Sequence, residues 1–311
     1  MSASRYTYLG PEGTFTEAAL RSLPEAATRE LTPMVSVPAT LDAVRSGAAA
    51  AALVPIENSV EGGVTATLDE LATGEPLMIY REVLLPIAFA LLVRPGTKLA
   101  ELKTVTGHPV AQPQVRKWLA ANLPDAVWES AASNADGARL VQEGRYDGAF
   151  AGEFAAPTYG LEPVVTDIHD AQNAATRFVL VGRPARPAAR TGADKTSVVI
   201  WLGADHPGAL LELLQEFAAR GVNLVRIESR PTGEGIGRYF FSVDLEGHIT
   251  DRRVGSALMG LKRVCPNVRF LGSYPRAGVQ PSDMSPLRHG TADEDFAAAD
   301  EWLARCQDGR V

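Results

Sequence analysis

Over residues 6–183, short apolar runs alternate with segments of helical period. Tyr6–Gly10 reads as a strand followed by the loop Gly10-Pro11-Glu12-Gly13. Thr14-Phe15-Thr16-Glu17 has the spacing of a capping box and opens an amphipathic run to Leu23. Val35–Val37 predicts a short strand and Leu41–Ala50 a helix. Ala51–Ile56 is continuously apolar, as in a strand buried on both faces, and Val64–Leu71 is helical. Leu84–Val93 predicts one long buried strand. Further strands are expected at Thr104–Thr106, Val127–Ala131, Gly148–Ala151, Val164–Thr166 and Arg177–Gly182, with helices at Pro113–Asn122 and Asp136–Glu143. This alternation predicts an α/β fold with mostly parallel strands.

The pattern then changes. Gly182–Asp194 is rich in Pro, Arg and small residues and has no apolar period, which marks a linker at 184–194. Residues 195–276 carry strand signals at Ser197–Leu202, Asn223–Ser229, Tyr239–Leu245 and Val268–Gly272. Helices are expected at Gly208–Arg220 and Arg252–Val264. Leu210, Leu211, Leu214 and Phe217 share the first helix's apolar face. The order βαββαβ predicts a ferredoxin-like sandwich. Gly233, Gly235 and Gly237 lie between two strands, so they are a turn and not a dinucleotide fingerprint. After Pro275 the chain is polar to Gly290. Asp293–Cys306 reads as a terminal helix with Phe296, Ala299, Leu303 and Cys306 on one face.

At 311 residues, the chain is long enough for two domains. Its 46% apolar and 22% charged residues are ordinary globular values. A net charge of −7 with no basic cluster argues against nucleic acid as partner. Cys265 and Cys306 make neither a disulfide framework nor a four-cysteine metal site. The apolar run Leu84–Val93 has ten residues with a proline inside, where a membrane span needs about 20. A cytoplasmic protein without membrane contact is expected. No phosphate loop, zinc-protease motif or serine elbow is present, and the five His are scattered. His169 beside Asp167 and Asp170 reads as a solvated loop rather than a ligand set. No metal or cofactor is expected.

Polar density at strand ends points to the chemistry. Glu57-Asn58-Ser59 follows the Ala51–Ile56 run and leads through Gly62-Gly63 into a helix, where open α/β sheets bind ligands. Capping by Asn58 or Ser59 accounts for one of these residues, not all. Thr176 and Arg177 open the strand that continues through Phe178. An arginine there suits bidentate binding of a carboxylate. Thr14 and Thr16 start a helix whose first N–H groups can meet an anion, although simple capping is the plainer alternative. His108–Gln114 precedes another helix, with Gln112 and Gln114 as donors. These residues predict a cleft between α/β lobes for a small anion.

The same residues resemble the prephenate dehydratase family. The matching stretches are Tyr8–Ala19, Val54–Val64, Leu85-Pro86-Ile87, Gly107-His108-Pro109 with Gln114, Tyr159-Gly160-Leu161 and Asn173–Phe178, of which Thr176-Arg177-Phe178 is the most specific. Gly208-Ala209-Leu210-Leu211 and Glu228-Ser229-Arg230-Pro231 resemble the two regulatory motifs of that family's ACT domain. Gly107 stands where many members have Ser, and Ala174-Ala175 where Asn-Phe is frequent.

The resemblance implies decarboxylation and dehydration of prephenate to phenylpyruvate without a cofactor. It also implies a catalytic domain at 1–183 of two lobes like type II periplasmic binding proteins, with the second lobe inserted near 80–165. An ACT domain at 195–276 and a tail at 277–311 would follow, and the chain would be monofunctional. Thr176 would assist the departing hydroxyl, with Glu57, kept protonated by burial, as ultimate acid. Arg177 and Thr14 would hold the pyruvyl carboxylate. Asn58, Ser59 and Gln114 would orient the ring, with Phe178 beside it. The ACT domain would bind phenylalanine through Gly208–Leu211, Asn223, Leu224 and Glu228–Pro231 in a homodimer or homotetramer. Arogenate as substrate, or a non-catalytic amino-acid sensor, are the competing readings.

Overall fold

The computed structural model describes residues 5–171, 173–203, 206–233, 235 and 238–310. They form two compact units, Met1–Glu70 with Val83–Arg183 and Leu71–Glu82 with Pro184–Val311.

The first unit has two sheets. Its chain begins with β1 (Arg5–Leu9), α1 (Phe15–Arg21), β2 (Glu30–Met34), α2 (Val37–Arg45), β3 (Ala51–Asn58), β4 (Gly62–Gly63) and α3 (Thr65–Thr73), then β5 (Met78–Pro86). It continues with β6 (Phe89–Val93), β7 (Thr104–Gly107), α4 (Gln112–Asn122), β8 (Val127–Ser130), α5 (Asn134–Gln142), β9 (Gly148–Ala151), α6 (Ala156–Tyr159) and β10 (Glu162–Ile168), and returns as β11 (Ala175–Gly182). The first sheet runs β2-β1-β3-β11-β5 with β4 on β3, and the second β10-β6-β9-β7-β8. The expected two-lobed α/β arrangement is therefore present.

Three expectations need correction. The strands are not mostly parallel: β1 pairs in parallel with β2 and β3, and β7 with β8 and β9, but β11 on β3 and β6 on β9 and β10 are antiparallel. Leu84–Val93 is not one strand. It breaks after Pro86, which has no N–H for a ladder, and its halves enter different sheets. At the break the Ile87 N–H donates to the Ala174 carbonyl (2.8 Å), so the outgoing and returning crossovers run side by side. Val35–Val37 is not a strand either. Ser36 caps α2, its Oγ accepting from the Ala39 N–H (3.3 Å), and Val35 stands 96% exposed. The strand is Glu30–Met34, which tolerates Pro33 because it lies at the sheet edge.

Phe15, at the start of α1, packs on the cores of both lobes. Its ring meets Phe89 and Phe154 edge-on, with centroids 5.7 and 5.2 Å away.

The second unit contains β12 (Asp194–Trp201), α7 (Ala209–Ala218), β13 (Leu224–Pro231), β14 (Tyr239–Glu246), α8 (Arg252–Val264), β15 (Asn267–Pro275) and α9 (Asp293–Gln307). The antiparallel order β13-β14-β12-β15 under α7 and α8 is the expected ferredoxin-like sandwich. Of the glycine turn, Glu234, Ile236 and Gly237 lie outside the described residues. Leu213 and Phe217 are buried, whereas Leu210 and Leu211 stand exposed, so the inward face of α7 is turned from the expected one.

Leu71–Glu82 is bound into this unit. Arg269 donates to the Leu71 and Gly74 carbonyls (3.1 and 2.6 Å), and Lys195 meets buried Glu82 at 2.7 Å. Gly272 has φ +140°, and a Cβ there would lie 2.2 Å from the Ile79 carbonyl oxygen, so only glycine fits. The tail also docks: Arg288 donates to the Ala218 carbonyl (3.2 Å), and Asp293 accepts from the Arg252 N–H (2.8 Å) at the start of α8. Among the described residues, no helix is long and apolar enough to cross a membrane.

Candidate active site

A cleft of about 310 Å³ opens in the first unit, lined from both lobes. Its centre is set by the antiparallel register of β3 and β11, which places Thr176 opposite Asn58 and Arg177 opposite Glu57. The Asn58 Nδ2 donates to Thr176 Oγ1 at 2.9 Å. Asn58 cannot be turned the other way, because its Oδ1 accepts from the Val60 and Glu61 N–H groups (2.8 and 3.1 Å). Thr176 is thus the acceptor toward Asn58, and its own hydroxyl hydrogen is left to point elsewhere. Both residues line the cleft, with Phe178 beside them.

Alternation along the strands sends Glu57 and Arg177 to the other face, where Arg177 Nη1 lies 3.4 Å from Glu57 Oε2. Neither lines the cleft. The burial on which an acid role for Glu57 depended is also missing, since its side chain is 38% exposed. Ser59 does not line the cleft. Its N–H donates to the Ala175 carbonyl (2.9 Å), and its Oγ accepts from the Ala175 N–H (3.0 Å), bracing the two strand ends.

Thr14 does line it, as the cap of α1. Its Oγ1 donates to the Leu9 carbonyl (3.2 Å) and accepts from the Glu17 N–H (3.3 Å). The return contact of the capping box is displaced by one residue: Glu17 accepts from the Gly13 N–H (2.6 Å). Gln114 is buried in the cleft wall. Its Nε2 donates to the Val110 carbonyl (2.9 Å), leaving Oε1 as a buried acceptor without a protein partner.

The second lobe adds residues that were not assigned from sequence. Ser133 and Asn134 open α5 in the cleft wall, and the Asn134 Oδ1 accepts from the His108 N–H (2.8 Å). His108 Nδ1 accepts from the Val110 N–H (3.2 Å), which makes Nε2 the protonated nitrogen of the neutral ring. Burial lowers the His108 pKa from its ordinary value, against an opposing pull from Glu61. At Gly107 a Cβ would press on Trp128 (3.0 Å), the Phe150 carbonyl (3.2 Å) and Asn134 Oδ1 (3.3 Å), so a side chain there requires these neighbours to give by a few tenths of an ångström. Trp128, stacked on Phe150, fills that space. The starts of α4 and α5 both reach the cleft. At α4 Pro113 has no N–H, and those of Ala111 and Gln114 donate to the His108 and Ala111 carbonyls (2.8 and 3.0 Å), so it is the start of α5, with Asn134 and Ala135, that favours an anion. None of the described residues lining it is an acid, a lysine or an arginine.

His169 and Asp167 lie 3.4 Å apart, while Asp170 accepts from the Lys117 N–H (2.7 Å). Among the described residues no cluster could hold a metal ion.

In the second unit Gly208 caps α7 at φ +95°, and Ala209 is buried. Leu210 and Leu211 stand 40% and 59% exposed. Leu224 begins the edge strand β13, and Glu228–Pro231 end it. Glu228 lies 3.5 Å from Arg226, which is itself paired with buried Asp244 (2.9 Å). Val225 and Ile227 of the same strand are also exposed. Asn223 lines a separate cavity of about 690 Å³ walled by the tail segment Met284–Arg288.

The sequence model for prephenate dehydratase matches residues 6–186, and that for the ACT domain residues 196–262. A prephenate dehydratase of Mycobacteroides abscessus is 48% identical over 313 residues, covering 99% of each chain. The crystal structure of prephenate dehydratase from Arthrobacter aurescens in complex with L-Phe is 49% identical with a TM-score of 0.92, covering 98% of this chain and 99% of that one. GqqA, described as a novel type of quorum-quenching acylase, is 28% identical with a TM-score of 0.79, covering 88% and 98%. A shared fold thus carries more than one named activity, and the residues of the site must discriminate.

Proposed function

This chain belongs to the prephenate dehydratase family, decarboxylating hydro-lyases, and from that premise we propose how its cleft carries the reaction. The prephenate dianion gains one proton, loses CO₂ and water, and leaves phenylpyruvate. The electron pair of the carboxylate–ring bond enters the ring, and the ring–hydroxyl bond breaks with its own pair. Aromaticity drives the step, so the protein has to orient the substrate and stabilise the departing oxygen.

Thr176 does the second task. Asn58 supplies its acceptor side, so the hydroxyl hydrogen is available to the leaving oxygen as charge develops there. That fixed donor is the observation that carries the reading. A threonine hydroxyl is too weak an acid to give up its proton outright, so it hydrogen-bonds or relays one. A donor aimed at developing oxyanion charge is worth about 10²–10³ in kcat.

Gln114 and Thr14 flank the ring from the cleft wall, and the start of α5 in the second lobe receives carboxylate charge. Phe178 packs against the ring. Glu57, Arg177 and Ser59 act from behind, holding β11 on β3 so that Thr176 keeps its place. This revises the direct roles the sequence suggested for Glu57 and Arg177.

In the second unit, L-phenylalanine is the effector. Gly208, Ala209, Leu210 and Leu211 supply a helix start without a Cβ at its cap. Asn223, Leu224, Glu228, Ser229, Arg230 and Pro231 approach from a second copy, paired through the exposed edge of β13 and the apolar side chains beside it. Binding that favours an inactive arrangement lowers activity by population shift. The A. aurescens enzyme, solved with L-Phe, supports this reading.

The test is phenylpyruvate formation from prephenate, read by absorbance in alkali, with chelator present and with or without L-phenylalanine. Turnover suppressed by phenylalanine is expected. Turnover without suppression removes the regulatory half, and absence of turnover on prephenate overturns the catalytic half.

A further inference from the structure

We propose that His108 holds the carboxylate that the reaction expels, through its Nε2–H. This rests on the prephenate reading above and adds which end of the substrate each lobe takes.

In prephenate the ring hydroxyl lies at the opposite end of the ring from the carbon that bears the departing carboxylate and the pyruvyl side chain, which ends in the retained one. Thr176 stands on β11 in the first lobe, and His108 follows β7 in the second; both line one cleft. With the hydroxyl on Thr176, the carboxylate end faces the second lobe. There the backbone of His108 is pinned by Asn134, and its Nδ1 is occupied by the Val110 N–H, which leaves Nε2–H as the ring's donor.

The two carboxylates need different treatment. The retained one gains from a firm grip, and the start of α5, with Asn134 and Ala135 in the cleft wall, provides it. The departing one loses its charge as CO₂ forms, so a cationic partner would stabilise the ground state more than the transition state and slow the step. A neutral donor orients it without that penalty. Burial keeps His108 neutral at neutral pH, while Glu61 pulls the other way. The absence of Lys and Arg among the described lining residues agrees with this division.

The experiment measures kcat and KM on prephenate for the wild-type chain, His108→Ala, His108→Gln and His108→Lys, with circular dichroism to establish folding. His108→Ala should raise KM about tenfold and change kcat less than about threefold, and His108→Gln should fall between it and wild type. His108→Lys should lower KM and kcat together, kcat by about tenfold or more. A lysine variant that lowers KM at unchanged kcat would assign His108 to the retained carboxylate and overturn the proposal. Uniform loss of kcat in all three variants, with KM unmoved, would also overturn it. If the lysine variant does not fold, the wild-type pH profile serves. KM and kcat should then fall together as pH drops through the depressed His108 pKa, and a profile without this joint fall contradicts the proposal. Wild type that fails on prephenate refutes the function itself, separately from His108.

Discussion

Asn58→Asp is the most informative single change in the cleft. It is nearly isosteric, and the remaining Oδ1 still accepts from the Val60 and Glu61 N–H groups, so the turn after β3 persists. Only the atom 2.9 Å from Thr176 Oγ1 changes, from a donor to an anionic acceptor. The threonine hydroxyl then donates to the new carboxylate. A hydrogen bond to a charged group holds about 1.5–3 kcal/mol. That energy opposes turning the hydroxyl toward the leaving oxygen, and the transition state loses its donor, worth about 2.7–4 kcal/mol. The expected fall in kcat is therefore about 10²–10³, while KM moves by less than about fivefold. Stability should stay within about 1 kcal/mol of wild type by urea unfolding, because the new contact replaces the lost one. Asn58→Asp that keeps kcat within about threefold of wild type would refute the directional hydrogen bond on which the site is argued.

Other outcomes concern the framework. Lys195→Met leaves the buried Glu82 carboxylate without its ammonium, and should cost about 3–5 kcal/mol by chemical denaturation; a loss below about 1 kcal/mol would mean the pair is not sequestered as drawn. Burial alone would raise the Asp147 pKa. The Lys103 and Thr104 N–H groups and the Thr104 hydroxyl outweigh it and hold the carboxyl below its ordinary value. Its contribution to stability is therefore full above the unfolded pKa of about 3.9 and is lost as pH falls through the depressed folded value. Asp147→Asn should flatten that part of a thermal unfolding profile against pH, and an unchanged acid limb would show that the clamp does not contribute.

Much of this site was legible because its residues sit where two strongly apolar strands end. Ala51–Ile56 and Phe178–Val181 announce themselves by composition, and the polar groups at their tips then stand out. What the pattern hid was how far each strand runs. β3 continues to Asn58 and β11 starts at Ala175, so the two-residue period separates Thr176 and Asn58 from Arg177 and Glu57. Ending the strands early concealed that split and made Arg177 look like a ligand. His108 and Asn134 were harder to pair, since 26 residues separate them and they meet where α5 packs on the end of β7. Likewise the run Leu84–Val93 looks uniform in hydropathy, yet it crosses between lobes at Pro86. Periodicity puts Leu210 and Leu211 on the apolar face of α7, but the helix turns Leu213 and Phe217 inward instead, while Val225 and Ile227 are exposed on the edge strand β13.

The central claim is that the Thr176 hydroxyl, and not merely its bulk, drives departure of the leaving oxygen. Its most direct test is the rate of phenylpyruvate formation by Thr176→Ser and Thr176→Val beside wild type at saturating prephenate. Serine keeps the hydroxyl and should stay within about tenfold of wild type, whereas valine keeps the shape and should lose about 10²–10³. Valine turning over as fast as serine would contradict the account.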